Sequence, residues 1–336
     1  MTPAGKAFGD LAPEEQVARV RELAATALER FALAPDSTLE LLKHRENTVF
    51  RIDEPARGRR WVLRVHRAGY QTRASIHSEL AWMDALRGSG LHTPHALPGR
   101  DGERVQTVSV SGVPEPRHCS VLSWIDGEPL EATQSVEAYA LLGELHARLH
   151  RHSRGWSPPP EFTRQHWDER GMLGDEPLWG RFQDLAALDV DQRALLEEAR
   201  RVVLERLGRF GRGGDRFGLI HADFMPDNVL IHAGEAFVID FDDCGFGWNL
   251  YDPATLFSAS VTDEAFPTLL DAWTEGYRSI AELPDEHLAE LPTFIMARGL
   301  VGLGWLHTRR ETDLARLITD GFVELACEYA ESLLRG

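Results

Sequence analysis

The residues best suited to chemistry lie between His221 and Asp243. The run Leu219-Ile220-His221-Ala222-Asp223-Phe224-Met225-Pro226-Asp227-Asn228-Val229-Leu230-Ile231 is followed by Phe237-Val238-Ile239-Asp240-Phe241-Asp242-Asp243. An apolar entry leads into a polar loop, then a hairpin, then an aspartate directly behind an apolar strand. That order sets Asp223, Asn228 and Asp240 at the ends of elements, where they can converge on one point. A carboxylate beside an acceptor hydroxyl, with oxygen ligands for Mg²⁺, is what phosphoryl transfer requires. Mg²⁺ prefers one or two carboxylates with amide oxygens, waters and phosphate, and this set supplies the protein's share. A metal-dependent hydrolase also uses His and Asp pairs, but the rest of the chain weighs against it. Packing has no need of Asp240, Asp242 and Asp243 crowded behind a strand, because clustered carboxylates repel.

These side chains need a scaffold, and its elements are readable. Val17, Val20, Leu23, Ala24, Ala27, Leu28 and Phe31 recur at helical spacing from Pro13 to Leu33, and Pro35 ends that helix. Short β-like runs follow at Leu39–Leu42, Thr48–Ile52 and Trp61–Val65, the last two joined across Asp53–Gly58. A helix over Ile76–Leu86 and further strands at Val105–Val110 and Ser120–Trp124 complete a mostly antiparallel sheet interrupted by one helix. Beyond Gly127 helices dominate: Tyr139–His150, Val190–Leu207, and Phe266 through Leu333 with short breaks. Arg154–Pro160 reads as a stiff connector. Two short strands, Val229–Ile231 and Ala236–Ile239, turn at Ala233-Gly234. The pattern predicts an N-terminal helical extension (1–35), a β-rich lobe (36–125) and a helical lobe (126–336), an α+β chain.

The loop resembles the catalytic core of the aminoglycoside phosphotransferase and choline kinase superfamily, a small-molecule branch of the protein-kinase-like bilobal fold. Its flavour is that of the homoserine-kinase-like and stress-response-kinase-like members. The family's His-x-Asp-x-x-x-x-Asn is matched by His221, Asp223 and Asn228, and its metal-binding Asp by Asp240. The resemblance implies that Asp223 orients and deprotonates the acceptor hydroxyl, with His221 bracing the loop. Asn228 and Asp240 would hold Mg²⁺ on ATP. It also implies that Arg64 replaces the usual phosphate-binding lysine, a guanidinium being suited to phosphate, with Glu79 as its acidic partner. The phosphate-covering loop, Lys43–Arg51, has no glycine, so Asn47 and Thr48 are the candidates there. Ser123, Trp124 and Ile125 fall at the expected interlobe hinge that takes adenine. Asp252, in Tyr251-Asp252-Pro253, matches a family aspartate tied to the catalytic loop; as a residue before proline it reads first as a helix N-cap, a role that can be combined with the tie.

The acceptor is less legible. Trp156, Phe162, Trp167, Trp179 and Phe182, interleaved with Arg164, His166 and Asp168, either wall a pocket or clamp onto the helical lobe. Asp242, Asp243, Trp179 and Arg298 are the acceptor candidates. The net charge of −17 disfavours nucleic acid, whose phosphates need a basic surface; it is compatible with a cationic small molecule, though an acidic balance more often simply keeps a protein soluble. No apolar run approaches the ~20 residues of a membrane span. Three scattered cysteines, Cys119, Cys244 and Cys327, are expected as reduced thiols in a cytoplasm. Three activities stay open on sequence: a small-molecule kinase, a stress-response-type Ser/Thr protein kinase, and a noncatalytic nucleotide-binding regulator. Ala222, standing where protein kinases of the eukaryotic kind carry arginine, lowers the expectation of regulation by loop phosphorylation.

Overall fold

The computed structural model describes residues 8, 11–44, 47–130, 135–258, 260 and 263–335. Arg45 and Glu46 of the glycine-free loop lie outside the described residues. The chain divides into two compact units, residues 1–126 with 158–163, and residues 127–157 with 164–336. The N-terminal helix therefore groups with the sheet, and 158–163 groups with the first unit.

In the first unit, α1 (Pro13–Leu28) precedes β1 (Thr38–His44), β2 (Thr48–Glu54) and β3 (Arg59–Val65), then α2 (Arg73–Gly88), β4 (Val105–Val108) and β5 (Arg117–Ser123). The five strands form one antiparallel sheet in the order β1-β2-β3-β5-β4. Strand alternation puts Thr48, Phe50, Ile52 and Glu54 on the buried face of β2. There Phe50, Ile52, Leu63, Val65 and Val121 pack against Val20, Leu23, Ala24 and Ala27 of α1. The helix stops at Leu28 instead of Leu33, because Phe31 leaves the helix to bridge Gly99 and is wholly buried. Glu54, also buried, accepts bonds from Ala34 N, Trp61 Nε1, Arg57 and Arg59. These offset the desolvation of its charge and hold its pKa below the usual carboxylate range.

The second unit begins with β6 (Glu128–Pro129) and α3 (Val136–Gly155). It continues through β7 (Gln165–Trp167), α4 (Glu169–Leu173), α5 (Val190–Phe210), β8 (Phe217–Ile220), β9 (Val229–His232), β10 (Glu235–Val238) and β11 (Gly245–Trp248). Helices α6 (Tyr251–Phe257), α7 (Phe266–Ile280), α8 (Asp285–Leu288), α9 (Leu291–Thr308) and α10 (Asp313–Arg335) close the chain. Two three-stranded sheets, β10-β9-β6 and β7-β11-β8, carry the loop region. Helices α3 and α7 approach closely where Gly143 meets the Trp273 carbonyl and Gly276 meets the Ala140 carbonyl. A methyl group at either glycine would collide with backbone. Among the described residues no helix is long and apolar enough to cross a membrane.

Candidate active site

The loop from His221 to Asn228 joins β8 to β9. Pro226–Asn228 form a 3-10 turn that delivers Asn228 to the start of β9. Asn228 Nδ2 donates to the Asp223 carbonyl at 2.9 Å and faces its carboxylate Oδ2 at 3.4 Å. The Ile239 amide donates to the Asn228 carbonyl at 2.9 Å. Asp240, next in sequence, is thus fixed alongside the loop. It adopts φ 60°, ψ 63°, a left-handed conformation that aspartate tolerates better than most residues.

Beneath the loop the partners are buried. Asp252 is fully inaccessible; its Oδ1 accepts from Ala222 N at 2.7 Å, and its Oδ2 from His221 N at 3.2 Å and His150 Nε2 at 3.0 Å. Burial opposes the Asp252 charge, but the His150 hydrogen bond and the neighbouring histidines outweigh it and lower its pKa. Asp252 does not cap its own helix: it lies within the first turn of α6, where Leu250 is the N-cap. Of the two expectations for this residue, the tie to the catalytic loop is the one present. His221 Nε2 donates to the Ile239 carbonyl at 3.0 Å, so this side chain joins the loop to the end of the hairpin.

Arg298, from α9, brings its Nη2 to 2.8 Å from Asp223 Oδ1. Its guanidinium carbon lies 4.7 Å from the ring centroid of Trp179. Burial works against its charge, but Tyr251, Asp223 and Asp243 overcome that and raise its pKa. The segment behind Asp240 is held from the other side. Arg164 Nε donates to the Cys244 carbonyl at 2.6 Å and its Nη2 to the Asp242 carbonyl at 2.5 Å. Gln165 Nε2 and Trp167 Nε1 both donate to the Asp243 carbonyl. Arg164, Gln165 and Trp167 therefore clamp the 241–244 backbone. The Asp242 side chain is buried and that of Asp243 half-buried.

In the first unit, Arg64 of β3 donates from Nη1 to Glu79 Oε1 of α2 at 2.7 Å, with side-chain exposures of 6% and 0%. Asn47 and Thr48 shape the turn before β2: Asn47 Oδ1 accepts from Arg67 N, and Thr48 Oγ1 pairs with His44 Nδ1 at 2.8 Å. Ser123 ends β5, exchanging bonds with His95 through backbone and hydroxyl. Trp124 and Ile125 follow, half-buried, and Trp124 Nε1 donates to Asp126.

Sequence reasoning named Arg298 and Asp223 but not their pairing, and passed over Tyr251. No local pattern signals a contact between residues 75 positions apart.

A β-sheet unit with a buried Arg–Glu pair, and a helical unit with an Asp-to-Asn loop followed by a strand-end aspartate, define a protein-kinase-like phosphotransferase fold. Residues 38–289 match the sequence profile of the phosphotransferase enzyme family, and the chain belongs to that family. It is a phosphotransferase of the small-molecule kinase kind, with a hydroxyl group as acceptor. The solved structure of the microcompartment-associated aminopropanol kinase is 36% identical, with TM-score 0.86, covering 94% of this chain and 98% of that one. An amicoumacin kinase solved with AMP-PNP, Ca²⁺ and Ami shares the fold at 22% identity, TM-score 0.77, covering 94% and 96%. The homoserine kinase of Gluconobacter oxydans (strain 621H) is 28% identical over 260 residues, 71% of this chain and 75% of its own.

Proposed function

We propose that this enzyme, acting in the cytoplasm, transfers the γ-phosphoryl group of Mg-ATP to the hydroxyl of a small amino alcohol. The observation that carries the reading is the Asp223 carboxylate, half-exposed and addressed on Oδ1 by Arg298 and on Oδ2 by Asn228. A carboxylate so oriented can hold an acceptor hydroxyl for in-line attack and take its proton. The metal fits the donors present: Asn228 spends its amide nitrogen on Asp223, leaving Oδ1 as a ligand, and Asp240 adds a carboxylate. That is the hard-oxygen pair Mg²⁺ favours. Once bound, Mg²⁺ neutralises charge that builds on the phosphate oxygens.

For the nucleotide, Arg64 takes the phosphates, its planar fork aimed by Glu79. Asn47 and Thr48 set the turn over the phosphates, and Ser123, Trp124 and Ile125 offer backbone groups to the adenine. The amino-alcohol assignment is supported by the 36% identity to the aminopropanol kinase across nearly the whole chain. The acidic Asp243, in the field around Arg298, supplies a partner for the acceptor's ammonium group.

The test is a panel of acceptors with labelled ATP: 1-amino-2-propanol, ethanolamine, choline, homoserine, an aminoglycoside and a generic protein substrate. The expected outcome is a labelled amino alcohol at the highest kcat/KM, and a loss of at least about 100-fold in Asp223→Ala. Preferential labelling of homoserine or of protein would replace the acceptor assignment. Transfer within a few-fold of wild type in Asp223→Ala would remove the catalytic one.

A further inference from the structure

We propose that Arg298 is the positioning residue of the catalytic carboxylate and that Trp179 is its platform. The inference rests on the reading of Asp223 as the group that receives the acceptor's proton, and it goes beyond that reading by dividing the carboxylate's two oxygens between two tasks.

The geometry separates them. Oδ1 lies 2.8 Å from Arg298 Nη2, a charge-assisted bond between side chains exposed by only 12% and 25%. Oδ2 faces Asn228 Nδ2 at 3.4 Å, too long for a strong bond. Oδ1 is therefore the anchor, and Oδ2 is the oxygen left to meet the acceptor. In the transfer step the acceptor oxygen forms a bond to the γ-phosphorus and its proton passes to Oδ2. The bond from the γ-phosphorus to the bridging oxygen breaks, and ADP leaves with that electron pair. Arg298 is not consumed; it keeps the carboxylate from rotating out of line.

The guanidinium is itself held. It stacks 4.7 Å from the Trp179 ring centroid, and Trp179 is pinned twice. Its carbonyl accepts from Thr308 Oγ1 at 3.0 Å, and its ring meets Trp167 edge-on, with centroids 5.4 Å apart. Gly180, at φ 94°, and Gly304 let this segment lie directly on α9, about one and two-thirds turns beyond Arg298. Arg298 Nη1 and the Tyr251 hydroxyl are both shut off from solvent without a well-formed hydrogen bond, yet each lies in the other's field. Burial pushes the Tyr251 hydroxyl up to about 12, so it stays neutral beside the cation. The ring face occupied by Arg298 is not offered to an acceptor ammonium, so Trp179 acts through the arginine.

Steady-state kinetics separate positioning from substrate binding, using 1-amino-2-propanol or, should the panel select it, homoserine. Arg298→Met is expected to lower kcat by about 100-fold, with KM for ATP and for acceptor within about threefold of wild type. Arg298→Lys should recover at least about tenfold of that loss, because it restores the charge but not the fork. Methylguanidinium added to Arg298→Ala should raise kcat in a saturable way. Trp179→Leu should lower kcat by about tenfold and Trp179→Phe by less, as the stacked platform is lost or kept. An acceptor KM raised at unchanged kcat would make Arg298 a substrate ligand and overturn the inference, as would kcat within threefold in Arg298→Met. Should Arg298→Met fail to fold, Arg298→Lys and Trp179→Leu decide the matter by the same kcat and KM criteria. An active Asp223→Ala would instead sink the underlying reading, whereas an inactive one beside an unaffected Arg298→Met sinks this inference alone.

Discussion

Ala222 sits at φ 65° although it is not glycine, a conformation that costs about 1–2 kcal/mol for a residue with a Cβ. The strain persists because Asp252 takes the Ala222 and His221 amides onto one buried carboxylate. Removing that carboxylate leaves two backbone donors and His150 Nε2 without an acceptor in a dry interior. Asp252→Ala is therefore expected to lose about 3–5 kcal/mol of stability, read as a lower urea midpoint at unchanged m. An unfolding free energy within about 1 kcal/mol of wild type would show that the loop holds its shape by other means. At this scale the sequence was informative wherever residues lie close along the chain. His221, Asp223, Asn228 and Asp240 announced themselves by spacing, because one loop and one hairpin carry all four. The partners that orient them were less plain: Asp252 read first as a cap and only second as a tie to the loop, and the bond from Arg298 to Asp223 joins segments that share no local pattern.

The elements that position the site depend on tight helix packing, and α3 shows the consequence for pH. One face of α3 carries His146, wholly buried, accepting at Nδ1 from Trp273 Nε1 at 2.8 Å and lying 4.0 Å from the Phe224 ring. Desolvation drives its pKa down to about 3, against the attraction of Asp252 and with the help of His150 and His221. In the unfolded chain the same imidazole titrates near ~6.5. Between those values the unfolded state binds the proton and the folded state does not, so this histidine withdraws stability as pH falls below about 6.5. From pH 7.5 to 5.0 the loss attributable to it is about 2 kcal/mol. His146→Gln, which keeps an acceptor for Trp273, is expected to shed that share of the pH dependence in paired urea titrations. An unchanged pH slope in the variant would show that His146 protonates freely in the folded protein. Long amphipathic elements such as α3 and α5 were legible to within about a turn or two. The strands β6 and β7 were not, because two or three residues are too few to display a period.

At the scale of the whole molecule, the residues proposed for the nucleotide and its metal are divided between the two units. The buried Arg64–Glu79 pair belongs to the first unit, and Asn228 and Asp240 to the second. The two kinds of unit were readable from strand and helix patterning. The joining of 158–163 to the first unit was not, since a Pro-rich stretch carries no signal of which surface it packs on. A ligand that binds only the folded chain stabilises it by RT ln(1 + [L]/Kd), about 2.7 kcal/mol at one hundred times Kd. For a chain of this size that corresponds to an upward shift of the melting transition of about 4 °C. Mg-ATP should produce that shift in the wild type, with a smaller one for ATP in the presence of chelator. Asp240→Asn is expected to abolish the Mg²⁺-dependent increment while leaving the metal-free shift, if Asp240 is the proposed metal ligand and not a nucleotide contact. Arg64→Met should reduce both shifts together, because the phosphate role proposed for its charge does not depend on the metal. Scanning calorimetry of the three proteins under the two conditions distinguishes these outcomes. A full Mg²⁺ increment in Asp240→Asn would move the metal away from the strand-end aspartate, and equal shifts in Arg64→Met and wild type would return Arg64 to a purely structural pair with Glu79.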